Sequence, residues 1–94
     1  VSVSYQSRPV WDFNREWVSC DAVIGTRPFR CNVTSDFLTG GQFRPLQEEE
    51  AMRLFQLRKP VIESYWETAA RAAAPADDEL TVSSSAARSG RRAR

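Results

Sequence analysis

Ninety-four residues leave room for one domain with a thin core, because a chain this short buries only about 60–65% of the surface it exposes when unfolded. Three tryptophans, two tyrosines and five phenylalanines favour a packed interior over disorder, and no apolar run approaches the roughly 20 residues needed to span a bilayer. The net charge of +1 is uneven: Arg88, Arg91, Arg92 and Arg94 are four of the thirteen basic residues, which leaves the body at 9 − 12 = −3 and argues against a nucleic-acid-binding face on it.

There are two cysteines and no histidine. That composition excludes Ser-His-Asp and Cys-His catalysis in this chain and any His-containing metal site. Two thiols cannot complete a four-ligand zinc site, and Cys20 and Cys31 are too far apart for a redox C-x-x-C. The opening Val1-Ser2-Val3-Ser4-Tyr5-Gln6 carries neither a basic nor an apolar leader segment, so a cytoplasmic location is expected.

Taken in chain order, Val3 and Tyr5 alternate with Ser2 and Ser4 as a short strand, and Val10-Trp11 resumes an extended stretch. Asp12-Phe13-Asn14-Arg15 has the residues of a turn. The runs 16–24 and 27–34 then flank Gly25-Thr26, a Gly-X pair that signals a type II′ hairpin. A two-residue loop makes paired positions sum to 51. Val18 then meets Val33, Cys20 meets Cys31 and Ala22 meets Phe29 on one face, while Ser19 meets Asn32 and Asp21 meets Arg30 on the other. A slip of one residue would destroy this sorting. Pro28 falls at a non-hydrogen-bonded pair, where a missing N–H is tolerated.

Thr34 to Thr39 reads as a capped helical turn stopped by Gly40-Gly41. Pro45 is placed as a first-turn proline, with Glu48, Glu49 and Glu50 complementing the positive end of a helix. From Leu46 to about Ala74 the pattern is helical, with Met52, Phe55, Ile62, Trp66, Ala69 and Ala73 on one apolar face. Pro60 predicts a kink or break near Arg58–Lys59. After Pro75 and the Asp77-Asp78 turn, residues 79–83 alternate as a last strand. Ser84 to Arg94 has no apolar anchor. The expected architecture is α+β: a small antiparallel sheet of β-hairpins in the order β-β-β-α-β, packed on one long helix. Residues 1–84 form the single domain and 85–94 a disordered basic tail.

The stretches Trp11-Asp12, Arg15-Glu16-Trp17-Val18, Ala22-Val23-Ile24-Gly25 and Phe29 to Leu38 form a distinctive succession. They are followed by the helix core Phe55-Gln56-Leu57-Arg58-Lys59-Pro60-Val61-Ile62-Glu63 and by Ala69-Ala70. Over residues 1–84 the chain resembles small bacterial proteins of domain-of-unknown-function family 1488 (DUF1488). Pro60 departs from that pattern, in which an uninterrupted helix stands at this place. The resemblance implies a hairpin sheet followed by a helix and a last strand. It implies no activity, and no functional residue is carried over from it.

No catalytic, cofactor-binding or metal-ligating residue is assigned. Cys20 and Cys31 could serve as a redox pair, but their place on the apolar face favours packing. Glu48, Glu49 and Glu50 point in different directions around a helix and cannot converge on one ion. Asp12, Glu16 and Asp21 are explained by turn chemistry and by the pairing of Asp21 with Arg30. Trp66 belongs to the helix core. Trp17 and Val23 fall on the polar face of the hairpin and are the candidate interaction surface. Arg88, Arg91, Arg92 and Arg94 are candidates for weak, salt-sensitive nucleic-acid contact. The expected protein is a non-enzymatic cytosolic interaction module without a cofactor, a membrane anchor or a small-molecule substrate. Its partner is another protein or a second copy, met through a sheet edge or the Trp17 face, and the alternative is a nucleic-acid accessory protein working through its tail.

Overall fold

The computed structural model describes residues 3–42, 44–84 and, for the backbone alone, 87–90. Strands β1 (Val3–Tyr5), β2 (Val10–Asp12), β3 (Trp17–Ile24) and β4 (Arg27–Thr34) precede helices α1 (Ser35–Leu38) and α2 (Glu48–Ala72). Strands β5 (Glu79–Val82) and β6 (Ala87–Gly90) follow. The six strands form one sheet in the order β1-β3-β4-β5-β6, with β2 also paired to β3.

The β3–β4 hairpin has the register read from the sequence, from Trp17 opposite Thr34 to Ile24 opposite Arg27. Gly25 takes φ 67 at its tip, the left-handed position that a II′ turn assigns to its first central residue. Strands β1 and β2 share one edge of β3 but are out of step. Residues 6–9 stand opposite only Cys20 and Asp21. Gln6 and Ser7 both donate their N–H to the Asp21 carbonyl, and the Ser7 hydroxyl accepts from Asp21 N–H at 2.8 Å. A side chain thus stands in for the missing main-chain acceptor.

The sheet is mixed, which corrects the expectation of an antiparallel one: β5 runs parallel to β4. The cause is the length of α2. Twenty-five residues rise about 37 Å and carry the chain back across the sheet, so the next strand starts where β4 started. Pro60 lies inside α2, and the helix is not broken there. Its ring faces solvent, where the carbonyl freed from the i→i−4 ladder can turn to water, while Phe55 and Ile62 hold the turns on either side. Pro45 is not in the first turn either, because α2 begins at Glu48 with Gln47 as its N-cap. Residues 87–90 of the expected tail form β6, antiparallel to β5, held by main-chain pairing that needs no apolar side chain; residues 85, 86 and 91–94 lie outside the described residues.

The core lies between α2 and one face of the sheet. Val18, Cys20, Phe29, Cys31, Val33, Leu80 and Val82 meet Ala51, Phe55, Ile62, Trp66 and Ala69 of the helix. The Trp66 indole donates to the Asn32 carbonyl at 3.0 Å, so the largest buried side chain is satisfied. Arg27 clamps the helix exit, donating to the carbonyls of Ala74 and Asp77 at 2.9 Å while its guanidinium lies 4.8 Å from the Phe29 ring. Cys20 and Cys31 are buried free thiols. Burial, reinforced by the Asp21 charge, pushes the Cys20 thiol up to about 12; burial raises Cys31 as well.

Candidate functional site: the outer face of the sheet

The other face of the sheet begins at the turn after β2. Asp12 accepts the N–H of Asn14 and Arg15 on its carboxylate, at 3.0 and 3.1 Å, and that of Glu16 on its carbonyl. The turn closes with Glu16 at φ 54. It delivers Arg15 over the Trp17 ring, 5.4 Å from its centroid. On β3 and β4 the alternation that buries Val18 and Cys31 turns Trp17, Ser19, Arg30 and Asn32 to this face. Arg30 pairs with Asp21 at 3.2 Å and donates to the Ser19 hydroxyl at 3.3 Å.

Asn32 sits in the middle of this group and is fully buried although it lies on the outer face. Its amide nitrogen donates to Glu79 at 2.9 Å and to the Thr81 hydroxyl at 3.1 Å. Those two acceptors fix the carboxamide orientation, since the reverse would set two oxygens against each other at Glu79. The Asn32 Oδ1 is therefore left buried without a partner. Asn32 lines a cleft of about 290 Å³ together with Trp17 and Ser19, the cations Arg15 and Arg30, and the anions Asp12 and Glu79. A desolvated acceptor beside an aromatic wall suits a hydrogen-bond donor on an incoming group.

Both Trp17 and Val23 lie on this face and are half-buried. Trp17 lines the cleft, whereas Val23, opposite Pro28 and Ser4, lies farther along the strand. Of the arginines considered for nucleic-acid contact, Arg88 falls in β6, and Arg91, Arg92 and Arg94 lie outside the described residues. The sequence reading did not single out Asn32, Glu79 or Arg15. The hairpin register already placed Asn32 beside Trp17's face, but the parallel pairing that sets Asn32 against Thr81 was not legible. Among the described residues no group of three or more His, Cys, Asp or Glu could hold a metal ion, and no helix is long and apolar enough to cross a membrane.

Compared with known proteins, the chain matches no curated protein and no solved structure. A family model described as a protein of unknown function (DUF1488) matches residues 3–80, from β1 into β5, and so covers the hairpin, α2 and the cleft. The chain belongs to the DUF1488 family.

Proposed function

We propose that this is a non-enzymatic protein-interaction module of the bacterial cytosol, and that the outer sheet face around Trp17 is its recognition surface. The observation that carries the reading is the carboxamide oxygen of Asn32, a residue that lines the cleft: the oxygen is desolvated and has no partner. An incoming side chain that donates an N–H, such as a carboxamide, lysine or arginine, would satisfy it. The stem of that side chain would lie against Trp17. Trp is also the residue type most enriched where binding energy concentrates at interfaces.

The test is a pull-down from the native cell extract with three forms of the protein: wild type, Trp17→Ala, and a chain ending at Gly90. The last keeps β6 while removing Arg91, Arg92 and Arg94. A protein partner retained by wild type and the shortened chain but lost by Trp17→Ala supports the reading. Equal capture by Trp17→Ala overturns it. Nucleic acid recovered only with the arginines present would favour the accessory nucleic-acid role instead.

A further inference from the structure

Helix α2 carries a second apolar row beside the one that packs on the sheet. Leu57, Val61 and Tyr65 are 72%, 50% and 43% exposed, at spacings of four residues that place them on one flank of the helix. Half-buried Leu54 and exposed Thr68 extend the row at either end. Its rim is aromatic: Phe37 of α1 meets Tyr65 edge-on at 5.5 Å, and Arg58 lies over Phe37. Three large side chains this exposed along one continuous helix mark a surface that packs against something.

The row is its own complement. In an antiparallel pair of copies with the two-fold axis at Val61, partnered positions sum to 122. Leu54 then faces Thr68 of the second copy (54 + 68), Leu57 faces Tyr65 (57 + 65), and Val61 faces Val61. The charges beside the row obey the same symmetry. Arg53 and Arg71 are 71 − 53 = 18 residues apart, and Glu49 and Glu67 are 67 − 49 = 18. Eighteen residues are about five turns, so each pair shares one angular position on the same flank, where Glu49, Arg53 and Arg71 are exposed and Glu67 is half-buried. An antiparallel copy brings Glu67 within two residues, about 3 Å of axial rise, of Arg53, and brings Arg71 equally near Glu49. A parallel two-fold copy would instead put this flank of the two helices on opposite sides of the contact and leave its charges without cross-partners. Four opposite-charge pairs follow from one symmetry operator, as an isologous contact requires.

We infer that α2 is a homodimerisation helix: two copies of this chain pack antiparallel through Leu57, Val61 and Tyr65, with Arg53–Glu67 and Glu49–Arg71 pairs along the seam. This surface is distinct from the Trp17 face, and the two readings fail separately.

Sedimentation equilibrium of the full chain tests it. Wild type is expected to approach twice the 10.7 kDa chain mass as concentration rises. Val61→Glu, which sets two carboxylates face to face on the axis, should weaken the dimer by more than about tenfold. Arg53→Glu and Glu67→Arg should each weaken it about tenfold, because each turns two attractive pairs into repulsive ones. These two changes keep the test sharp even if Val61→Glu perturbs folding. An equimolar mixture of Arg53→Glu and Glu67→Arg chains should recover the wild-type association, since every seam pair is again opposite in sign. A wild type that stays monomeric at every concentration, a Val61→Glu dimer of unchanged strength, or a mixture no tighter than its components would each overturn the inference.

Discussion

On the helix side of the sheet, Val18, Phe29, Cys31, Val33, Leu80 and Val82 are at most 2% exposed, and helix residues fill the space above them. On the other side the same strands present Ser19, Asp21, Arg30, Asn32, Glu79 and Thr81, joined by an ion pair and side-chain hydrogen bonds, with one buried acceptor left over. The inner face would serve any well-packed apolar set of the same volume. The outer face keeps a desolvated polar atom that an apolar side chain would avoid, at a cost to stability of about 1–3 kcal/mol. A buried polar group without a partner calls for an explanation other than folding. Stability therefore resides chiefly on the helix side of the sheet, and the outer face is the one proposed for recognition.

The sharpest way to break that division is to cut into each face and compare. Trp66→Ala should lose about 3–5 kcal/mol in urea unfolding, through cavity formation and loss of the bond to the Asn32 carbonyl. A loss under about 1.5 kcal/mol would show that the helix side does not dominate stability. Next in size, Asn32→Asp should cost about 2–3 kcal/mol near neutral pH, because it buries a charge beside Glu79. Burial raises the folded-state pKa of the new carboxyl, so the deficit should shrink as pH falls and grow as pH rises through that value. Asn32→Leu carries no such charge but takes the donor from Glu79 and Thr81, so it should cost about 1–2 kcal/mol while losing partner capture. If it bound as well as wild type, the orphaned oxygen would have no part in recognition.

The smallest effect lies at the seam between the faces. Burial would raise Asp36, but bonds from the Ser84 hydroxyl, the Thr34 hydroxyl and the Ser84 N–H outweigh it and hold the carboxyl below its usual range. A lowered folded-state pKa stabilises above the unfolded value and is lost as pH falls through the folded one. Asp36→Asn should therefore cost about 1 kcal/mol near neutral pH, discounted for solvent screening, and nothing in strong acid. Urea midpoints measured at both ends of that range check it.

How much of this was legible depends on where the deciding interaction lies. The hairpin could be read residue by residue because Gly25-Thr26 fixes the loop and side-chain alternation admits one register. The turn at Asp12 and the stop at Gly40-Gly41, with φ 74 and 95, were equally local. The parallel placement of β5 was not, since no period in Glu79–Val82 encodes which strand it joins. That pairing builds the Asn32–Thr81–Glu79 side of the cleft, so the site was hidden for the same reason as the topology. Pro60 misled for a different reason: a proline's cost in a helix depends on whether the freed carbonyl meets solvent, which a sequence pattern does not state. The row Leu57, Val61 and Tyr65 was visible at four-residue spacing, but the stronger face through Phe55, Ile62 and Trp66 took the apolar signal.

The dislocated edge at residues 6–9 has a consequence for behaviour at high concentration. β1 and β2 are three residues each and out of register with one another. An incoming strand would find no straight template longer than one of these segments, and Pro9 withholds an N–H between them. At the opposite border, β6 covers β5 with only four residues. Among the described residues both rims are therefore short, one of the features by which sheet edges are kept from pairing with another chain.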